Sequence, residues 1–76
     1  MSTWRVSIEV NDDRYINMAW NCSSEAECAN IVQGFFQGLP DDIRWCYRIH
    51  EVFNDGIAHA QVLKTEVSGV GLEVVQ

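Results

Sequence analysis

Asp12-Asp13 and Asp41-Asp42 are two adjacent carboxylate pairs, and converging carboxylate oxygens are what Ca²⁺ and Mg²⁺ bind. Neighbouring side chains in a strand-like turn point apart, however, and no EF-hand loop spacing surrounds either pair. Aspartate suits turns by hydrogen bonding its local backbone, so solvated turn residues are the expectation here. His50 and His59, with Cys46, are the next candidates. Zinc takes about four converging ligands, and Cys46 is the only additional candidate beside the two histidines. As a general base either histidine lacks a Ser or Cys nucleophile with an orienting carboxylate. Cys22 and Cys28 fit neither metal nor redox Cys-x-x-Cys spacing, and Cys28 reads as a small core hydrophobe. Neither GxGxxG nor a P-loop occurs; Gly69-Val70-Gly71 is a turn signal. No catalytic residue, metal ligand or cofactor is expected, and the chain reads as non-enzymatic.

The elements that hold these groups follow from hydrophobic periodicity. Trp4, Val6, Ile8 and Val10 alternate with Thr3, Arg5, Ser7 and Glu9, the period of a half-buried strand. Asn11-Asp12-Asp13 supplies a turn, and Ile16, Met18, Trp20 and Cys22 resume the alternation. The period then changes. Ser24 and Glu27 form a capping box, and Cys28, Ile31, Val32, Phe35 and Leu39 make a helical stripe, predicting a helix from about Ser24 to Gln37. Gly38 and Pro40 end it, and Gly34 within it is expected to allow close packing on the sheet. Ile43, Trp45, Tyr47, Ile49 and Phe53 line one face of a third strand, opposite Arg44, Cys46, Arg48 and His50. Asn54-Asp55-Gly56 signals a hairpin. With Asp55-Gly56 as its loop, Phe53 opposes Ala58, Glu51 opposes Ala60 and Ile49 opposes Val62. His50 and His59 then become diagonal neighbours on the face away from the helix. Ser68-Gly69 offers another turn, letting Val70, Leu72 and Val74 add a short fifth strand.

The expected fold class is α+β: one domain over residues 1–76, in two layers, an antiparallel sheet with one helix on one face, in the order ββαββ(β). Antiparallel connectivity brings the Asp12-Asp13 turn and Asp41-Asp42 to the same end of the sheet. The ends are therefore expected to be acidic. The uncovered face, with Arg5, Arg44 and Arg48, is expected to be polar and mildly basic. Seven of the aromatic side chains, Trp4, Trp20, Trp45, Tyr47, Phe35, Phe36 and Phe53, fall on the core side, leaving Tyr15 for the open face.

Composition narrows the classes of function. With 76 residues the chain is close to the lower limit for an independent core, burying about 60% of its unfolded surface. Eleven acids against five bases give a net charge of -6, which repels phosphate backbones and attracts basic surfaces. The odd count of three cysteines points to reduced thiols and a cytoplasmic setting, and no apolar run approaches a membrane span.

From Ser24 to Pro40, the capped helix with Phe35-Phe36 and then Gly38-Leu39-Pro40 resembles the helix end of some small phage anti-CRISPR proteins. The resemblance covers about a quarter of the chain. It implies a compact acidic α+β protein that binds a CRISPR surveillance complex in the host cytoplasm and blocks its target DNA or nuclease. This helix carries the amides Asn30, Gln33 and Gln37 where a DNA mimic would carry rows of carboxylates.

The functional expectation is a small acidic protein that occupies a basic, nucleic-acid-handling surface of a larger protein or ribonucleoprotein. It binds neither nucleic acid nor membrane directly. Asp12, Asp13, Asp41 and Asp42 are the expected contact residues, with Glu9 and Arg44 at the margins. The alternatives are a self-associating module that pairs sheet edges into a homodimer, and an RNA-binding open face around Tyr15, Arg48, His50 and His59.

Overall fold

A computed structural model describes residues 2–11, 15–54, 59–71 and 73–75. It contains β1 (Ser2–Asn11), β2 (Tyr15–Cys22), α1 (Glu25–Phe36), β3 (Arg44–Asn54), β4 (His59–Val70) and β5 (Glu73–Val75). The strands form one antiparallel sheet in the order β2-β1-β3-β4-β5. The α+β class and element order are those the periodicity predicts.

Alternation sets the core. Val6 and Ile8 of β1 are fully buried, with Cys22, Cys28, Val32 and Ile49 around them. Trp4, Val10, Trp20, Ile31, Phe35, Phe36 and Tyr47 pack on that cluster while remaining partly exposed. Ser24 is the N-cap of α1, its hydroxyl accepting from the Glu27 N–H at 3.2 Å. The returning half of the box is displaced by one residue. The Glu27 carboxylate accepts from the N–H and hydroxyl of Ser23, not from Ser24. Gly34 meets nothing within 4 Å of where a Cβ would sit, so it serves no close approach to the sheet. The expected packing role for it is wrong, because Gly34 lies on the wet side of the helix.

The second hairpin departs from expectation in two ways. Its loop is longer: Asn54 pairs with His59, so Phe53 opposes Ala60 and Glu51 opposes Val62. The Asp55-Gly56 turn itself lies outside the described residues. This shift of two residues keeps every side chain on its face. The second change does not. Ile49 pairs with Thr65 and His50 with Leu63, leaving Lys64 as the extra residue of a β-bulge. From Thr65 onward the faces of β4 are therefore exchanged. Val67 and Gly69 join the helix side opposite Tyr47 and Trp45, while Glu66 and Ser68 move to the open face opposite Arg48 and Cys46.

The last turn also comes later than Ser68-Gly69. β4 continues to Val70, and Gly71 turns the chain at φ 57, a left-handed conformation that glycine adopts without strain. Its N–H donates to the Ile43 carbonyl at 2.8 Å, tying the β4–β5 turn to the start of β3.

Candidate functional site

The helix does not cover the whole sheet. α1 packs over β2, β1 and β3, and its backbone leaves β4 and β5 bare. Five strands spaced about 4.8 Å apart make a sheet nearly twice as wide as one ~10 Å helix. A ledge therefore remains on the helix side. Between it and α1 runs a groove of about 230 Å³, lined by Val32, Gln33, Phe36, Trp45, Tyr47, Val67, Gly71 and Val74.

Aromatic packing builds the groove's inner wall. The Phe36 ring centre lies 4.2 Å from that of Trp45 and 6.0 Å from that of Tyr47, and Trp45 stacks on Tyr47 at 6.1 Å. Trp45 is held at its polar end, where the indole N–H donates to the Gly71 carbonyl at 2.7 Å. Gly69 lies beneath that indole, and a Cβ there would overlap both the ring and the Glu73 carbonyl. The outer wall is exposed: Val74 retains 60% of its accessible surface. Below the groove, Phe53 and Val62 lie beyond the helix on the same side of the sheet and are also exposed. Placing Phe53 in the core is thus a misassignment, because the β3–β4 hairpin outruns the helix that would cover it.

Acids stand at both ends of this face. Glu25, in the first turn of α1, has a carboxylate oxygen 3.5 Å from the Thr65 hydroxyl, and Glu51 lies opposite Val62. Lys64 Nζ is 3.7 Å from Glu51 Oε1. At the other end Asp41 and Asp42 are exposed in the turn before β3, with the Asp41 backbone against Gly71. Glu27 is held below its ordinary range by the Ser23 hydroxyl and N–H it accepts from.

The open face is less basic than expected. Arg5, Arg44 and Arg48 do lie there, but Arg48 donates to Glu9 Oε1 at 2.8 Å and also pairs with Glu66. The bulge causes this, since it brings Glu66 onto the Arg48 side. Those two carboxylate hydrogen bonds drive the Arg48 pKa upward. Cys46, Arg48, Glu66 and Ser68 line a shallow polar depression of about 530 Å³. Burial raises the Cys46 thiol pKa there, partly offset by Arg48. Cys28 is pushed up to about 12, chiefly by burial and then by the neighbouring Cys22 thiol.

His50 and His59 are not neighbours. His50 pairs with Leu63 and His59 with Asn54, four positions apart along the ladder, or about 13 Å. The longer loop separates them. Among the described residues no group of three His, Cys, Asp or Glu could hold a metal ion.

Of the expected contact residues, Asp12 and Asp13 lie outside the described residues. Asn11, which precedes them, pairs with Arg44, two positions after Asp42. Arg44 is exposed on the open face, and Glu9 is half-buried against Arg48. The groove itself escaped the sequence reading. A signal for it exists in the apolar phase of β4, which slips between Val62 and Val67 around Lys64.

No family model, curated protein or solved structure matches this chain. No helix among the described residues is long and apolar enough to cross a membrane.

Proposed function

We propose that this is a small acidic binding protein, without catalytic activity of its own, that occupies a basic surface of a larger protein or ribonucleoprotein. One observation carries this reading: on the helix side of the sheet Phe53, Val62 and Val74 stay apolar and exposed in a chain of net charge -6. Exposed apolar surface rimmed by charge marks interaction sites. Acidic rims steer a basic partner towards it and disfavour nucleic acid. A phage inhibitor of a CRISPR complex is the narrowest form of the proposal, supported by the helix-end resemblance and the charge. The free thiols of Cys22, Cys28 and Cys46 support a cytoplasmic setting.

The test is recovery of partners on the tagged protein in its native host, eluted along a salt gradient. Salt-sensitive release of a basic protein or ribonucleoprotein is the expected outcome, because exposed charge pairs weaken as the screening length shortens. Recovery of the protein alone would overturn the proposal and favour self-association. That second reading rests on β4, whose pairing with β5 covers only Ser68–Val70 and leaves the edge from His59 to Val67 without a described neighbour.

A further inference from the structure

We infer that the groove between α1 and the β4–β5 ledge is the docking site of an amphipathic α-helix with basic residues near both its ends, supplied by another protein. The inference rests on the binding reading above and names the shape and charge of the partner's contact element.

Dimensions come first. From Thr65 to Val70 the β4 floor is six residues long, about 20 Å, which matches a helix of about 13 residues. The bare ledge is about one helix diameter wide at Ser68–Val70, where β5 pairs, and one strand wide at Thr65–Val67. Its contacts are side chains, Val67 and Val74 below and Phe36 and Tyr47 beside, and the β4 edge without a described neighbour, His59 to Val67, lies at its margin and not on its floor. A helix satisfies its own peptide groups and needs only apolar anchors at i, i+3 or i+4, and i+7. An extended peptide would leave its backbone unpaired on this floor.

Charge then selects among the possible occupants. Glu25 stands at one end of the groove, Asp41 and Asp42 at the other. The three described arginines all lie on the opposite face of the sheet, and Lys64 is engaged with Glu51. A second copy laid face to face would bring the same acids and another net charge of -6, so self-docking here is repulsive. A helix with Lys or Arg near its ends is attracted at both.

The test uses two synthetic peptides of 14 residues and identical Leu/Lys composition, one patterned as an amphipathic helix and one scrambled. Each is titrated into the ¹⁵N-labelled full chain. The patterned peptide is expected to bind at least ~10-fold more tightly, shifting the amides of Val67 and Val74 and the Trp45 indole. Val74→Lys, at an exposed site that tolerates the change, is expected to lower that affinity at least ~10-fold. Val70→Lys, on the other face, should leave it unchanged. Equal binding of the two peptides, or indifference to Val74→Lys, would reduce the effect to net charge and overturn the inference. Shifts centred on the β4 edge or on Arg48 would overturn the groove while leaving the binding proposal in place. Absence of any shift with either peptide would also overturn the groove, and the native-host recovery then judges the binding proposal separately.

Discussion

Trp45 donates its indole N–H to the Gly71 carbonyl at 2.7 Å, a buried bond between residues 26 apart in sequence. It joins the start of β3 to the β4–β5 turn and orients the ring that walls the groove. Trp45→Phe keeps most of the apolar volume but leaves the carbonyl without its donor, an expected cost of about 1–3 kcal/mol. Trp45→Ala adds a cavity, and about 3–5 kcal/mol is expected, close to the whole stability of a domain this small. Phe35→Ala should cost less, because Phe35 is only half-buried at the margin of the core. Urea unfolding of the three variants checks the order, and a Trp45→Phe variant as stable as the parent would remove the bond from this account.

Two glycines should respond in opposite directions to the same substitution. Gly34 sits inside α1 in open space, so Gly34→Ala is expected to stabilise by about 0.5–1 kcal/mol through helix propensity. At Gly69 a Cβ would overlap the Trp45 ring and the Glu73 carbonyl, so Gly69→Ala should lower the melting temperature and detach β5. Thermal melts distinguish the two at once. A stabilised Gly69→Ala variant would mean that Trp45 does not lie where the groove requires it.

These contrasts show what the sequence makes legible. β1, β2 and α1 announce themselves because each keeps one period throughout, and because Ser24 and Glu27 mark the helix start. β4 does not, since it holds two phases: Val62 and Val67 share the helix side despite opposite parity, reconciled only by the bulge at Lys64. Asn54-Asp55-Gly56 suggests a two-residue loop, yet pairing of Asn54 with His59 places four residues between them. That difference is a matter of tertiary pairing, which local turn chemistry does not decide. The acids were recognisable as turn and cap residues, but the bare ledge was not. Its existence depends on where α1 lies across the sheet, a packing outcome that periodicity leaves open.

Alkaline pH should destabilise the fold through Cys28. Burial, with the Cys22 thiol and then Glu27 and Glu25 adding, raises this thiol from an ordinary value of 9.0 to about 12. Above 9.0 the unfolded chain releases a proton that the folded chain keeps, so stability falls with rising pH. The contribution is fully present below 9.0 and is lost as the pH rises towards about 12. Denaturant titrations across this range should show a shallower decline in Cys28→Ala than in the parent, whatever the absolute cost of the cavity. Native-state alkylation should leave Cys28 unmodified at neutral pH. Identical slopes would show that the thiol ionises alike in both states.

Lys64 is placed to keep β4 from pairing with other chains. It is the extra residue of the bulge, exposed, on a strand whose outer edge has no described neighbour from His59 to Val67 and which carries Val62 and Leu63 at 41% and 48% exposure. A lysine and a bulge are two of the ways in which natural sheets blunt such an edge, since a paired neighbour would have to desolvate the charge and follow the kink. Lys64→Val removes the charge and its contact with Glu51 while raising β-propensity. The variant is expected to fold, because the position is solvent-facing, but to self-associate at roughly 100 μM, where the parent is expected to sediment as a monomer. Sedimentation velocity reads this directly, and Lys64→Arg should behave as the parent. A parent already dimeric, with Lys64→Val unchanged in mass, would make the β4 edge a native interface. The self-association reading would then displace the groove as the principal contact surface. A monomeric Lys64→Val variant would instead assign protection of the edge to the bend of the bulge alone, because the backbone kink survives loss of the charge.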